Sequence, residues 1–114
     1  MGASSGSLHA PRERLSKDTI HLHHAIVSLM EELEAVDWYR QRADDCEDKV
    51  LKEILLHNMR EEMEHAAMVL EWIRRNNKDF AKELKDYLFT EGKDGLSVTR
   101  YYQAVLQSLN HPIG

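Results

Sequence analysis

The stretch "EEMEHAAMVLEW", Glu61–Trp72, decides how this chain folds. Read with the residues before and after it, it carries Leu51, Leu55, Met59, Ala66, Leu70 and Ile73 at helical spacing. That is one apolar stripe along a long amphipathic helix. Glu62 falls near the centre of the stripe, within roughly 20° of Leu51 and Leu55 around the helix. His65 lies about 60° to one side and one turn later. A carboxylate at a core position is costly unless it keeps its proton, finds a hydrogen-bonding neighbour or binds a cation.

Outward from this helix, which spans about Asp48 to Arg75, the elements follow from pattern and punctuation. A first long helix begins between Pro11 and Ser16, either of which suits a first turn. It runs to about Arg42 or Ala43 on the period of Leu22, Ile26, Leu29, Leu33 and Val36. "ADDCEDK" is the turn between the two helices, and "RRNNKD" closes the second. A shorter helix covers about Lys78 to Phe89, "TEGKDG" turns, and Leu96 to Leu109 repeats apolar residues as a further helix would. The expected fold is all-α: an antiparallel two-helix hairpin with a short C-terminal helix. Residues 1–12 read as a flexible N-terminal arm and 13–90 as the helical domain. Residues 91–114 read as a C-terminal extension.

Composition narrows the functional classes. With 114 residues the chain is one domain at most, near the size where self-association helps to cover a core. Its net charge of −5 argues against a nucleic-acid backbone as partner and suits the attraction of cations. No apolar run approaches the roughly 20 residues that span a bilayer. The single cysteine, Cys46, cannot form an internal disulfide. A cytoplasmic location without nucleic acid or membrane is the expectation.

Chemistry enters with Glu62 and His65. Glu-x-x-His on one helix, with a Glu from a neighbour, is half the ligand set of a ferritin-like di-iron bundle. Carboxylates bridge two metals and tolerate both iron oxidation states, and a neutral imidazole suits iron. On the first helix Glu32 flanks the Leu29–Leu33–Val36 stripe, with Tyr39 two turns later. A hairpin would thus supply three ligands and leave its apolar stripe wet. Homodimerisation about a two-fold axis cures both defects, completing a four-helix bundle with six ligands. Elsewhere His57, Glu61 and Glu64 share a sector of the second helix, and Glu31 and Glu34 lie away from Glu32. The plain reading of both is a solvated acidic face, and the functional one is cation capture. His21, His23 and His24 point in different directions and read as surface or interface residues. Ile20, Val27 and Trp38 make a second apolar sector, which implies assembly beyond the dimer.

"EELEAVDWY" (Glu31–Tyr39), "HNMREEMEHAAMVLEW" (His57–Trp72) and "YLFTEG" (Tyr87–Gly92) together resemble the encapsulated ferritins, cargo proteins of encapsulin nanocompartments. The resemblance implies a ferroxidase that oxidises Fe(II) to Fe(III) with dioxygen. Glu32, Glu62 and His65 would hold the two irons from both chains, with Glu62 bridging and Tyr39 close by. Glu31, Glu34 and Trp38 would line an inlet. His57, Glu61 and Glu64 would form an outer site for calcium or another divalent cation. The same resemblance implies an annular decamer of five dimers inside an encapsulin shell. In place of a Gly/Ser-rich tail the chain has "KDGLSVTRYYQAVLQSLNHPIG" (93–114), where "GLSV" or "SLNHPIG" would dock to the shell. Two other classes stay open: a non-enzymatic helical assembly module, and a metal-buffering protein.

Overall fold

The computed structural model describes residues 7–90 and 96–110, with side chains of 96–101 left aside. Among these residues there are four α-helices and no strand: α1 (Lys17–Asp45), α2 (Lys49–Asn76), α3 (Lys78–Tyr87) and α4 (Leu96–Asn110). A 3₁₀ turn, Arg12–Arg14, precedes α1. The chain divides into two compact units, Met1–Ile73 and Arg74–Gly114. Within the described residues no helix is long and apolar enough to cross a membrane.

Capping chemistry sets the boundaries. Pro11 opens only the 3₁₀ turn, because Leu15 leaves it in an extended conformation. Ser16 is the N-cap of α1, its hydroxyl accepting from the Thr19 amide at 3.1 Å. At the other end α1 persists to Asp45, past the expected Arg42–Ala43. The Asp48 carboxylate accepts from the Leu51 amide at 2.8 Å and so starts α2. The connection is therefore only Cys46 to Asp48, and the Cys46 thiol, half-buried, donates to the Asp48 carbonyl at 3.4 Å. Asn77, expected to end α2, caps the next helix instead, accepting from the Phe80 amide at 2.8 Å. That helix stops at Tyr87, two residues early. Phe89 then adopts φ 55°, a left-handed conformation that a Cβ makes costly, with its ring in solvent.

In the first unit the buried residues are few: Ile20, Ala43, Met59, Ala66 and Ile73. Met59, Ala66 and Ile73 recur every seven residues, the spacing that keeps one seam of α2 against a partner helix. Leu55 and Leu70 flank that seam half-buried, as the stripe requires, while Leu51 is exposed near the turn. On α1, Leu22, Leu29 and Val36 are half-buried, but Ile26 and Leu33 are exposed, Leu33 at 55%. The stripe is wider than one neighbouring helix can cover. Ile20 departs from its expected sector: it is buried within its own chain, lining a hollow with Leu15 beside the N-terminal turn.

In the second unit α3 packs on α4. Tyr102, Val105, Leu106 and Leu109 follow i, i+3, i+4, i+7 spacing on α4, and all are exposed. Much of the N-terminal arm (residues 1–6) and of the turn "TEGKDG" (91–95) lies outside the described residues. So do the ends of both docking segments, Gly95 and His111–Gly114.

Candidate metal centre

Glu32 stands 13 residues before the end of α1, and Glu62 stands 13 residues after the start of α2. An antiparallel return over a three-residue connection brings two such positions level. His65, one turn beyond Glu62, completes the group. The His65 Nδ1 atom is 3.6 Å from Glu32 Oε2 and 3.6 Å from Glu62 Oε2. One ligand atom from each of the three residues lies within 4.8 Å of the other two. Bonds of about 2.0–2.2 Å from a metal to nitrogen and oxygen separate neighbouring donors by roughly 3–4 Å. The separations from His65 match that, and they are longer than a hydrogen bond from an imidazole. Among the described residues this is the one group of three or more such side chains close enough to hold an ion.

The two carboxylates also perturb each other. Glu32 is held above its ordinary carboxylate range, first by a hydrogen bond shared with Glu62, then by burial and the charge of Glu62. His65 pulls the other way. Protonation of Glu32 and the binding of a cation at this group therefore compete. The linkage has a definite sign. A carboxyl whose pKa is raised by folding stabilises the fold below its unfolded pKa, and that contribution is lost as pH rises through the folded value. Glu32→Gln should therefore leave the metal-free fold at least as stable as wild type at neutral pH. Divalent-ion uptake by wild type should weaken with falling pH and release protons. Calorimetric titrations in buffers of different ionisation enthalpy measure that release, and buffer-independent heats would contradict the competition.

The position of the group within the fold matters as much as its spacing. Around α2, the buried Met59, Ala66 and Ile73 lie roughly 20–60° to one side of Glu62. His65 lies about 60° to the other side, and beyond it Ile54, Trp72, Met68 and Val50 follow at about 80–120°. These four are exposed, Val50 at 72% and Ile54 at 51%. Glu62 and His65 therefore straddle the boundary between a buried seam and a bare apolar strip. Their side chains are 24% and 43% exposed, and Glu32 is 25% exposed. A second bare patch, Ile26, Leu33 and Met63, lies about 100–120° from Glu32 or Glu62. In an antiparallel pair it falls on the face away from His65.

The remaining expected site residues are only partly gathered. His57 Nε2 is 3.5 Å from Glu61 Oε1 on the exposed side of α2, and Glu64, also exposed, does not close a three-residue group with them. Glu31 is exposed, Glu34 half-buried and Trp38 half in solvent. Tyr39 is half-buried and lies about 10 Å along the helix from Glu32. The rings of His23 and His24 are 5.9 Å apart, and none of the three histidines joins a metal-sized group. One neighbour escaped the sequence reading. Arg42 lays its guanidinium 5.9 Å from the Trp38 ring and 5.4 Å from the Tyr39 ring. Its i,i+4 and i,i+3 spacing from those aromatics was the available signal.

Known proteins resemble this chain. The model of the EncFtn-like family matches residues 7–91. The encapsulated ferritin-like protein of Rhodospirillum rubrum is 59% identical over 92 residues, which are 81% of this chain and 66% of that protein's length. A ferritin-like protein of Thermotoga maritima is 47% identical over 83 residues, 73% of each chain. The crystal structure of a protein from Nitrosomonas europaea superposes with a TM-score of 0.71 at 59% identity, covering 75% of this chain and 94% of the other. The family match takes in α1, α2 and α3 with the whole Glu/His group and stops short of α4. By these likenesses the chain belongs to the EncFtn-like family of encapsulated ferritin-like proteins.

Proposed function

We propose that this protein is a ferroxidase, oxidising Fe(II) to Fe(III) with dioxygen at a di-iron site shared by two copies of the chain. The observation that carries the proposal is the place of Glu32, Glu62 and His65, three convergent ligands on the margin of a bare apolar strip. Three ligands are half of a di-iron set. A two-fold axis against the strip supplies the other half while removing apolar surface from water. The dimer is then a four-helix bundle made of two hairpins.

In this arrangement Glu32, Glu62 and His65 from both chains would hold the two irons, with Glu62 as the shared ligand. The two Fe(II) would together supply two electrons to one dioxygen, which with two protons leaves as hydrogen peroxide. The carboxylates would hold the more highly charged Fe(III) without leaving bare charge in the interior. Iron is substrate here, arriving and departing. Glu31, Glu34 and Trp38 form the inlet, and acidic side chains concentrate Fe(II) there. His57 and Glu61, joined by Glu64, make an outer site for calcium or another divalent cation. Tyr39 reaches the iron of the opposite chain, since its own Glu32 lies two turns away. The bare patch of Ile26, Leu33 and Met63 joins dimers into an annular decamer. The decamer works in the cytoplasm inside an encapsulin shell, which receives the Fe(III).

Oxygen uptake on adding Fe(II) tests the activity. Consumption well above the buffer rate, saturating with iron, is expected. Iron binding without oxygen consumption would indicate a metal buffer, and neither would indicate an assembly module.

A further inference from the structure

We propose that Arg42 is a positioning residue that clamps Trp38 and Tyr39 and sets the charge at the inlet end of α1; the proposal rests on the ferroxidase reading. Consecutive residues on a helix point about 100° apart. One side chain can touch both rings only from the groove between them, one turn on, and Arg42 occupies it. Its distances of 5.9 Å to Trp38 and 5.4 Å to Tyr39 are both within cation–π range. Two of the nearby acids have other partners. Asp37 accepts from the Gln41 amide at 3.0 Å, and Asp44 lies 3.8 Å from Arg40. With Trp38 and Gln41 the guanidinium lines a hollow of about 330 Å³.

Two consequences follow from the planar, charged group. Contact with both rings narrows their rotamers, which a half-exposed Trp and a half-buried Tyr would otherwise sample more widely. The charge also shares a sector of α1 with Glu31 and Trp38, within roughly 40°. An incoming cation meets acids at Glu31 and Glu34 and the like charge of Arg42, which offsets part of their attraction.

Two variants separate stacking from charge. Arg42→Met removes both, whereas Arg42→Lys keeps the charge and loses the planar fork. Each is made in the full chain carrying Trp72→Phe, so that emission reports Trp38 alone. Arg42→Met should raise quenching of Trp38 by acrylamide about two-fold and lower turnover about two- to five-fold, the scale of an exposed cation–π contact. It should also lower the KM for Fe(II), because the repulsive charge is gone. Arg42→Lys should lose turnover while keeping the wild-type KM. Unchanged quenching in Arg42→Met, or altered quenching with turnover and KM both unchanged, would overturn the proposal. If the parent chain oxidises no iron, the ferroxidase reading has failed, and the quenching comparison alone decides whether the clamp exists.

Discussion

Glu62→Ala is expected to abolish iron-dependent oxygen consumption while leaving the helices in place. Glu62 is only partly buried, between the seam of Met59, Ala66 and Ile73 and the strip beyond His65. Alanine is the best helix former, so α2 keeps its backbone. What disappears is the carboxylate expected to bridge two irons, once from each chain, so two ligands leave one shared site. Changes to groups that merely orient ligands cost about 10–100-fold in metal affinity or activity. Loss of a bridging ligand should exceed that, about 100-fold or more. The metal-free chain should not suffer, because removing Glu62 also removes the main cause of the raised Glu32 pKa. Circular dichroism and oxygen uptake on the same sample separate the outcomes. Full activity in a folded Glu62→Ala protein would remove the carboxylate from the chemistry.

The second large effect concerns assembly, and the two bare surfaces should behave differently. Ile54→Glu places a charge in the strip beside His65, where a dimer would have to bury it. Burying an unpaired carboxylate costs several kcal/mol, and each 1.4 kcal/mol is tenfold in affinity. A rise of about 100-fold or more in the dimer dissociation constant is therefore expected, and iron oxidation should fall with it. High protein concentration should restore part of both. Leu33→Glu places the same charge in the patch away from His65. It should cap assembly at the dimer and leave iron oxidation near wild type. Both residues are exposed in the single chain, at 51% and 55%, so neither change disturbs the hairpin itself. Sedimentation velocity over a range of concentrations reads both effects. Loss of iron oxidation in Leu33→Glu with the dimer intact would reverse the assignment of the two faces.

Much of this was legible in the residue pattern, for physical reasons. Helical periodicity with few Gly, Pro or β-branched runs fixed the class, and a short acidic turn between two long helices implied the hairpin. Glu62 stood out because it breaks an apolar stripe, with His65 one turn on and Glu32 flanking the stripe of the first helix, and the fold gathers those three. Boundaries were less legible. Ser16 and Pro11 both suit a helix start, and the extended Leu15 with the Ser16–Thr19 hydrogen bond decides for Ser16. Asn77 could end one helix or begin the next, and its hydrogen bond to the Phe80 amide decides for the latter. The stripe on α1 overstated burial, because periodicity reports which residues avoid water without saying which chain covers them. Ile26 and Leu33 follow the same period as Leu22, Leu29 and Val36, yet remain exposed. Arg42 escaped notice because a basic residue near a helix C-terminus is already explained by the helix dipole.

The central claim, one iron per chain at a site that exists only between two chains, is tested most directly by anaerobic Fe(II) titration with oligomer size followed in parallel. The expected result is saturation near one iron per chain, a shift of the sedimentation profile towards dimer or larger on loading, and oxidation on admitting oxygen. Fe(II) that fails to saturate, or that binds a chain remaining monomeric, would contradict the shared site and leave Glu62 as a structural carboxylate.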